Sequence, residues 1–209
     1  MDIKYNAEKN REFFNRKIDE YDDTHAKFME TKNELEKNLP EGTQKILDLG
    51  AGTGLELIEV FKKHPNVRVT AVDISEKMLE RLKQRDFSNS VDVICGNFFD
   101  VEFGKNYDVV ISTSALHHFL KNDKLVLYKK IYESLKEGGE FLNSDKIVLS
   151  DEDEQKAIEY YNEYIQEKPH IDTPLSINHE LEVLKEAGFK DISVSNVDRE
   201  DYRLFKAKK

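Results

Sequence analysis

The chain has 209 residues, 38% of them apolar, with 12 Phe and 9 Tyr, and it carries 32 Lys and Arg against 42 Asp and Glu for a net charge of −10. That size and apolar content suit one domain with one core, and the acidic balance argues against a nucleic-acid partner, because phosphate backbones select clustered Lys and Arg and nothing here exceeds pairs such as Lys62–Lys63 and Lys129–Lys130. No stretch approaches the roughly 18 consecutive apolar residues of a membrane span, the charged start MDIKYNAEKNREFF lacks the apolar segment of a secretory signal, and a lone Cys95 excludes an intrachain disulfide, so a cytoplasmic protein without membrane insertion is expected.

Residues 1–40 read as polar and helical, with Phe13, Phe14, Tyr21 and Phe28 spaced along them. Asp22, Asp23 and Thr24 offer N-caps for a second helix running toward Pro40. From residue 41 to about 147, strand and helix patterns alternate. Lys45–Leu49 is an apolar run ending in Gly, followed by a helix from about Gly54 to His64. Val67–Val72 is a β-branched strand, and Ser75 caps a helix over Glu76–Arg85. Val91–Cys95 and Asp108–Ser112 are short strands, and a helix over about Leu125–Leu135 stops at Gly138–Gly139 before a strand at Glu140–Asn143. Residues 148–209 open with Ser150-Asp-Glu-Asp-Glu, whose acids suit a helix N-terminus. Asn178 is read as the cap of a helix that Gly188 ends, and Ile192–Val197 and Tyr202–Ala207 form a closing pair of strands. The alternation predicts an α/β fold, a doubly wound and mostly parallel sheet of seven strands with helices on both faces. Residues 1–209 are read as a single domain.

Within that frame Ile46-Leu-Asp-Leu-Gly-Ala-Gly-Thr-Gly54 sets three glycines in a turn between a strand and a helix. Glycines there permit positive φ and let a ligand approach the main chain. The G-x-G-x-x-G spacing of a dinucleotide fold is missing, with Leu55 where Gly or Ala is required, which counts against an NAD-dependent oxidoreductase. Asp73 ends the next strand, at the sheet edge where doubly wound folds bind ligands, and a carboxylate there can accept both hydroxyls of a ribose.

These blocks resemble the class I S-adenosylmethionine-dependent methyltransferases over about Lys45–Asp145. ILDLGAGTG is similar to the family's glycine motif, VDIS to its acidic ribose motif and GNFFD (Gly96–Asp100) to its adenine segment. YDVVISTSALHHF (Tyr107–Phe119) and LKEGGEFL (Leu135–Leu142) resemble its later blocks. The flanking regions look like those of small-molecule members, including the group acting on quinone precursors. The resemblance implies S-adenosyl-L-methionine as cofactor. It places Asp48, Gly50, Ala51 and Gly52, with Ser112 and Thr113, around the methionine moiety, Asp73 on the ribose, and Ile74, Met78, Asn97 and Phe98 at the adenine. Asn97 stands where the family often has Asp, and its carbonyl still accepts from an amine. The resemblance further implies an antiparallel last strand and residues 1–40 as a helical lid, with Tyr21 and Phe28 closing over the cofactor.

Methyl transfer from a sulfonium is an in-line displacement governed by positioning, and it needs a base only for a protonated nucleophile. No catalytic residue is therefore fixed; His117, His118 and Asp145, after the fourth and fifth strands, are candidates. The histidine pair lacks i, i+4 spacing, and no metal site is expected. Tyr160, Tyr161, Tyr164 and His170 fall in the segment that shapes acceptor choice in such enzymes. The expected partner is a small-molecule methyl acceptor, with a homodimer as an open assembly. A cofactor-binding relative without methyl transfer, or a sensing module, is the competing reading.

Overall fold

The computed structural model describes residues 7–26, 29–168 and 170–209, with the backbone alone for residues 30 and 31. The helices are α1 (Ala7–His25), α2 (Met29–Lys37), α3 (Leu57–Lys63), α4 (Glu76–Leu82), α5 (Lys121–Ser134), α6 (Asp151–Tyr164) and α7 (Ile177–Glu186). The strands are β1 (Lys45–Leu49), β2 (Arg68–Asp73), β3 (Val91–Cys95), β4 (Tyr107–Thr113), β5 (Leu135–Lys146), β6 (Lys190–Asn196) and β7 (Tyr202–Lys208). They form one sheet in the order β3-β2-β1-β4-β5-β7-β6. β1 through β5 pair in parallel, and β7 runs antiparallel to both β5 and β6. The chain reverses direction across the sheet between β1 and β4, so the carboxyl ends of β1, β2 and β4 open onto one edge, the topological switch point where such sheets hold ligands.

Side chains alternate between faces along each strand. Leu47, Leu49, Val110 and Phe141 pack with Leu127, Ile131, Val183 and Leu184 of α5 and α7. Ile46, Val109, Ile111 and Leu142 pack on the other side with Leu35, Leu57, Val60 and Leu82 of α2, α3 and α4. Both faces of β1 and β4 are therefore covered, which is why these strands read as unbroken apolar runs.

Several boundaries depart from the sequence reading for identifiable reasons. Asp22–Thr24 do not cap a second helix; they lie inside α1, where the Asp22 carboxylate binds side chains across the cleft. Gly138–Gly139 do not divide helix from strand. β5 begins at Leu135, and its pairing with β4 jumps from Tyr107↔Leu135 to Val109↔Glu140, so residues 136–139 loop out of the ladder. Gly138 takes φ +73° in that excursion, and a Cβ on Gly139 would lie 3.0 Å from the Lys136 carbonyl. The α7 cap is Ser176, whose Oγ accepts from His179 N, and not Asn178. α3 starts at Leu57, after the glycine turn has run its course. Phe28 lies outside the described residues.

Candidate functional site

β1 ends in Gly50-Ala-Gly-Thr-Gly, with φ of +79° at Gly50, +52° at Gly52 and +72° at Gly54. At Gly50 a Cβ would lie 2.4 Å from the Ala115 Cβ, so the loop after β4 presses directly on this turn. At Gly52 the nearest atom to an added Cβ is Tyr21 Oη at 3.6 Å, so a side chain here would project into the space beneath α1. The turn is pinned to β2 because Gly50 N donates to Val72 O at 2.8 Å. Asp73, at the end of β2, accepts from Gly52 N and from Ser75 N, both at 2.8 Å. One carboxylate thus fixes the turn and the start of α4, with a lone pair on each oxygen left over. Burial pushes the Asp73 carboxyl up to about 6 against the pull of those two backbone donors.

The cleft above holds about 600 Å³, partly open to solvent, and gathers residues from five segments. Tyr21, Gly50, Gly52, Asp73, Ile74, Met78, Asn97, Phe98 and Thr113 all line it, together with His118. Asp48, Ala51 and Ser112 stand behind the lining. Ser112 Oγ donates to Leu49 O at 2.8 Å and ties β4 to β1, and Ala51 packs into the core on the α3 side. Asp48 is buried, its two oxygens without a hydrogen-bond partner. Burial and the neighbouring Glu56 hold its carboxyl well above the usual range, while Lys32 Nζ pairs with Glu56 at 3.1 Å. Asn97 Oδ1 accepts from Phe99 N at 3.2 Å, which orients the amide and leaves it one lone pair.

α1 closes the cleft from above through polar clamps. Asp22 accepts from Thr53 Oγ1 at 2.6 Å and from Arg85 Nη2 at 2.7 Å, and Arg85 Nε donates to Thr53 O at 3.0 Å. Asn15 accepts from Ser75 Oγ at 2.7 Å and donates to Glu76 at 3.0 Å. Tyr21, whose hydroxyl burial pushes up to about 12, is held over Gly52 by this docking.

A second cleft of about 950 Å³ adjoins the first and shares Phe14, Tyr21, Ser114 and His118 with it. His117, His170, Asp172 and Tyr202 complete its inner wall, with Lys17 and Glu20 toward the mouth. Asp145, fully buried, accepts from Leu116 N at 3.0 Å and sits 2.5 Å from His117 Nδ1, so it shapes the turn and aims the imidazole without lining either cleft. Burial opposes charge on His117, yet Asp145 and Asp172 raise it to about 9; burial and the neighbouring His117 lower His118 to about 3. Burial would raise the Asp145 carboxyl, but His117 keeps it below its ordinary value. Of the aromatic residues expected at the acceptor, His170 lines this cleft. Tyr161 is buried in α6, and Tyr160 and Tyr164 meet at a tilt of 41° beside Lys168, away from both clefts. Sequence reasoning missed Phe14, Ser114, Ala115 and Asp172. Only Asp172 carried a signal, its place two residues after His170; Ser114 is distinguished by its φ of +55°, which no residue pattern announces.

The family model described as a methyltransferase domain matches residues 46–139, the stretch from β1 into β5. The chain is 33% identical over 176 residues to a carboxy-S-adenosyl-L-methionine synthase of Nautilia profundicola, covering 76% of this chain and 74% of that protein. The chain belongs to the class I S-adenosylmethionine-dependent methyltransferase family. A second carboxy-S-adenosyl-L-methionine synthase, from Campylobacter lari, is 31% identical over 71% of this chain and 70% of its own. The fold also superposes on human N-acetylserotonin methyltransferase in complex with S-adenosylmethionine, with a TM-score of 0.66, 23% identity and 94% of this chain covered. This chain spans 55% of that one. Membership of that family makes the chain an S-adenosylmethionine-dependent methyltransferase with S-adenosyl-L-methionine as its cofactor. No helix of the described residues is long and apolar enough to cross a membrane.

Proposed function

We propose that the first cleft is the cofactor site and the second the acceptor site, with methyl transfer across their seam. The observation that carries this is the shared wall: Phe14, Tyr21, Ser114 and His118 line both clefts, so a group held over the glycine turn faces the neighbouring space directly. Three features fit the cofactor to the first cleft. The turn leaves open the space a Cβ on Gly52 would take, Asp73 retains free lone pairs, and Thr113 Oγ1 is buried there without a hydrogen-bond partner. Gly50, Gly52 and Thr113 would hold the methionine end, Asp73 the ribose hydroxyls, and Ile74, Met78, Asn97 and Phe98 the adenine; Asp48, Ala51 and Ser112 support them from behind. Bound cofactor supplies an electrophilic methyl with a neutral thioether as leaving group.

The chain's own residues orient and shield. Tyr21 and Phe14 cover the seam, which α1 seals against water through the Asp22–Arg85–Thr53 clamp. The acceptor cleft offers flat apolar walls in Phe13, Phe14 and Tyr202 with polar groups at one end in His117, His118 and Asp172, which favours a planar molecule bearing an oxygen or nitrogen. Asp145 is the positioning residue for His117. We read the whole chain as one domain with residues 1–40 as its lid, as a cytoplasmic enzyme that takes no nucleic acid. A homodimer would use the start and outer face of α6, where Leu149 and Tyr160 are the exposed large apolar side chains among the described residues.

A second reading follows from the relatives named carboxy-S-adenosyl-L-methionine synthases, a name that makes a carboxylated cofactor the product. In that reading the added carboxylate would face the second cleft, which Lys17 and His117 line. Incubation with methyl-labelled cofactor and panels of phenols, amines, thiols and quinone precursors, each with and without an added carboxylic acid or bicarbonate as carboxylate donor, separates the two. Label moving to an acceptor supports transfer; label staying on a cofactor of increased mass supports the second reading and overturns the first.

A further inference from the structure

The second cleft contains a group of side chains whose spacing goes beyond what holding an acceptor requires. His117 and His118 come from the turn after β4, and His170 and Asp172 from the segment between α6 and α7. Lys146 Nζ holds Asp172 Oδ2 at 2.8 Å, whereas Oδ1 faces three imidazoles: His117 Nε2 at 3.6 Å, His118 Nδ1 at 3.5 Å and His170 Nε2 at 3.4 Å. These separations exceed the roughly 2.7–3.2 Å of a good N–H···O bond. They match the distance between neighbouring ligands of a tetrahedral ion, roughly 3.3–3.4 Å for metal–ligand bonds of about 2.0–2.1 Å. One ligand atom from each of His117, His118 and Asp172 lies within 4.8 Å of the other two.

Two further observations point the same way. His118 is 8% exposed, yet its Nδ1 has no hydrogen-bond partner although it is aimed at this carboxylate. His117 is fixed from behind by Asp145 at 2.5 Å on Nδ1, so that Nε2 faces the cleft. Metal-bound histidines are held in this way by a carboxylate on the far nitrogen. The other three-residue cluster, Asp151, Glu154 and His179, lacks such a vacancy. Ser176 N donates to Glu154 and Ser176 Oγ to Asp151, so those acids anchor the start of α7.

We propose that His117 Nε2, His118 Nδ1 and Asp172 Oδ1 form a binding site for one divalent transition-metal ion of the zinc, cobalt or nickel class, with His170 beside the fourth position. Imidazole with a single carboxylate is a donor set suited to these ions rather than to magnesium or calcium. Because the ion would sit in the wall of the second cleft, its remaining position would take an oxygen or nitrogen of the acceptor. That role rests on the second cleft being the acceptor site; the binding of the ion does not.

The test is titration of the full chain, stripped with a chelator, by Co²⁺ alone, read by visible ligand-field absorption. The expected result is saturation at one ion per chain, with affinity lowered at least ~100-fold in His118→Gln and in Asp172→Asn and ~10–100-fold in Asp145→Asn, the range for removing a supporting carboxylate. His179→Gln should titrate as the wild type does. Should the ligand variants fold poorly, Zn²⁺ added to the wild type should shift the imidazole resonances of His117 and His118 and leave those of His64 and His179 in place. Absence of a saturable band, equal affinity in the ligand variants, or unmoved His117 and His118 resonances would overturn the proposal. Binding of S-adenosylhomocysteine by the same stripped sample reports the cofactor site separately, so failure of either reading is seen without the other.

Discussion

Gly50→Ala probes the closest approach on which the site depends. Gly50 lies at φ +79°, where an alanine costs about 1–2 kcal/mol. The new Cβ would also stand 2.4 Å from Ala115 Cβ, more than an ångström inside the ~3.5–4.0 Å of a carbon contact. Relief requires the ends of β1 and β4 to part, and these are tied by the Ser112 Oγ to Leu49 O bond and by parallel pairing up to Leu49↔Ser112. Overpacking of this kind costs about 1–3 kcal/mol, so the substitution should lose about 2–5 kcal/mol in all. Ala115→Gly removes the atom that is struck, and the double variant should retain only the left-handed cost of about 1–2 kcal/mol, beyond whatever Ala115→Gly loses alone. Urea unfolding of the four proteins therefore predicts a coupling energy of about 1–3 kcal/mol. Strict additivity, or a Gly50→Ala protein as stable as the wild type, would refute the contact.

Asp73→Ala should weaken binding of S-adenosylhomocysteine by about 1–3 kcal/mol in calorimetry, because it removes the ribose acceptor and orphans the Gly52 and Ser75 amides. The same carboxyl sets a pH dependence. Its folded value of about 6 lies above the ordinary ~4, so its favourable contribution to folding is complete below ~4 and lost as pH rises through about 6. Ligand binding, which needs the ionised form, should instead loosen as pH falls through about 6, and Asp73→Asn should flatten both profiles. Glu180→Ala should destabilise the fold by about 3–5 kcal/mol in denaturant, since it leaves the buried Lys124 ammonium unpaired and takes the acceptor from the Tyr128 hydroxyl. Arg85→Ala should speed backbone hydrogen exchange in α1 without changing exchange in β1; equal protection in variant and wild type would mean that the Asp22 clamp does not hold the helix.

What could be read from residues alone was set by how local the cause is. The parallel sheet and its order of elements were legible because β1 and β4 are buried on both faces and advertise it as apolar runs, and because Gly50, Gly52 and Gly54 mark a turn that only glycine takes. The place of Asp73 at the cleft was legible because it closes an apolar strand, whereas the bonds by which it fixes the glycine turn and the start of α4 were not. The excursion at 136–139 was not, since glycines announce a bend without saying whether a helix or a strand contains it. Nor was the role of Asp22, because a helix interior and an N-cap accept the same residue types, and what decides is Arg85, which lies 63 residues away in the chain. The association of Asp172 with His117 and His118 was equally hidden, because 54 residues separate the histidine pair from the acid in sequence and only the docking of the α6–α7 segment on the turn after β4, where Thr173 N donates to His117 O at 2.7 Å, brings them together.

The measurement that bears most directly on the account is a crystal structure of the chain with S-adenosylhomocysteine bound. It should show the ribose hydroxyls within hydrogen-bond reach of Asp73, the homocysteine over Gly50–Gly52 and the sulfur facing the wall formed by Ser114 and His118. A ligand bound elsewhere, or one seated here with its ribose turned away from Asp73, would contradict it.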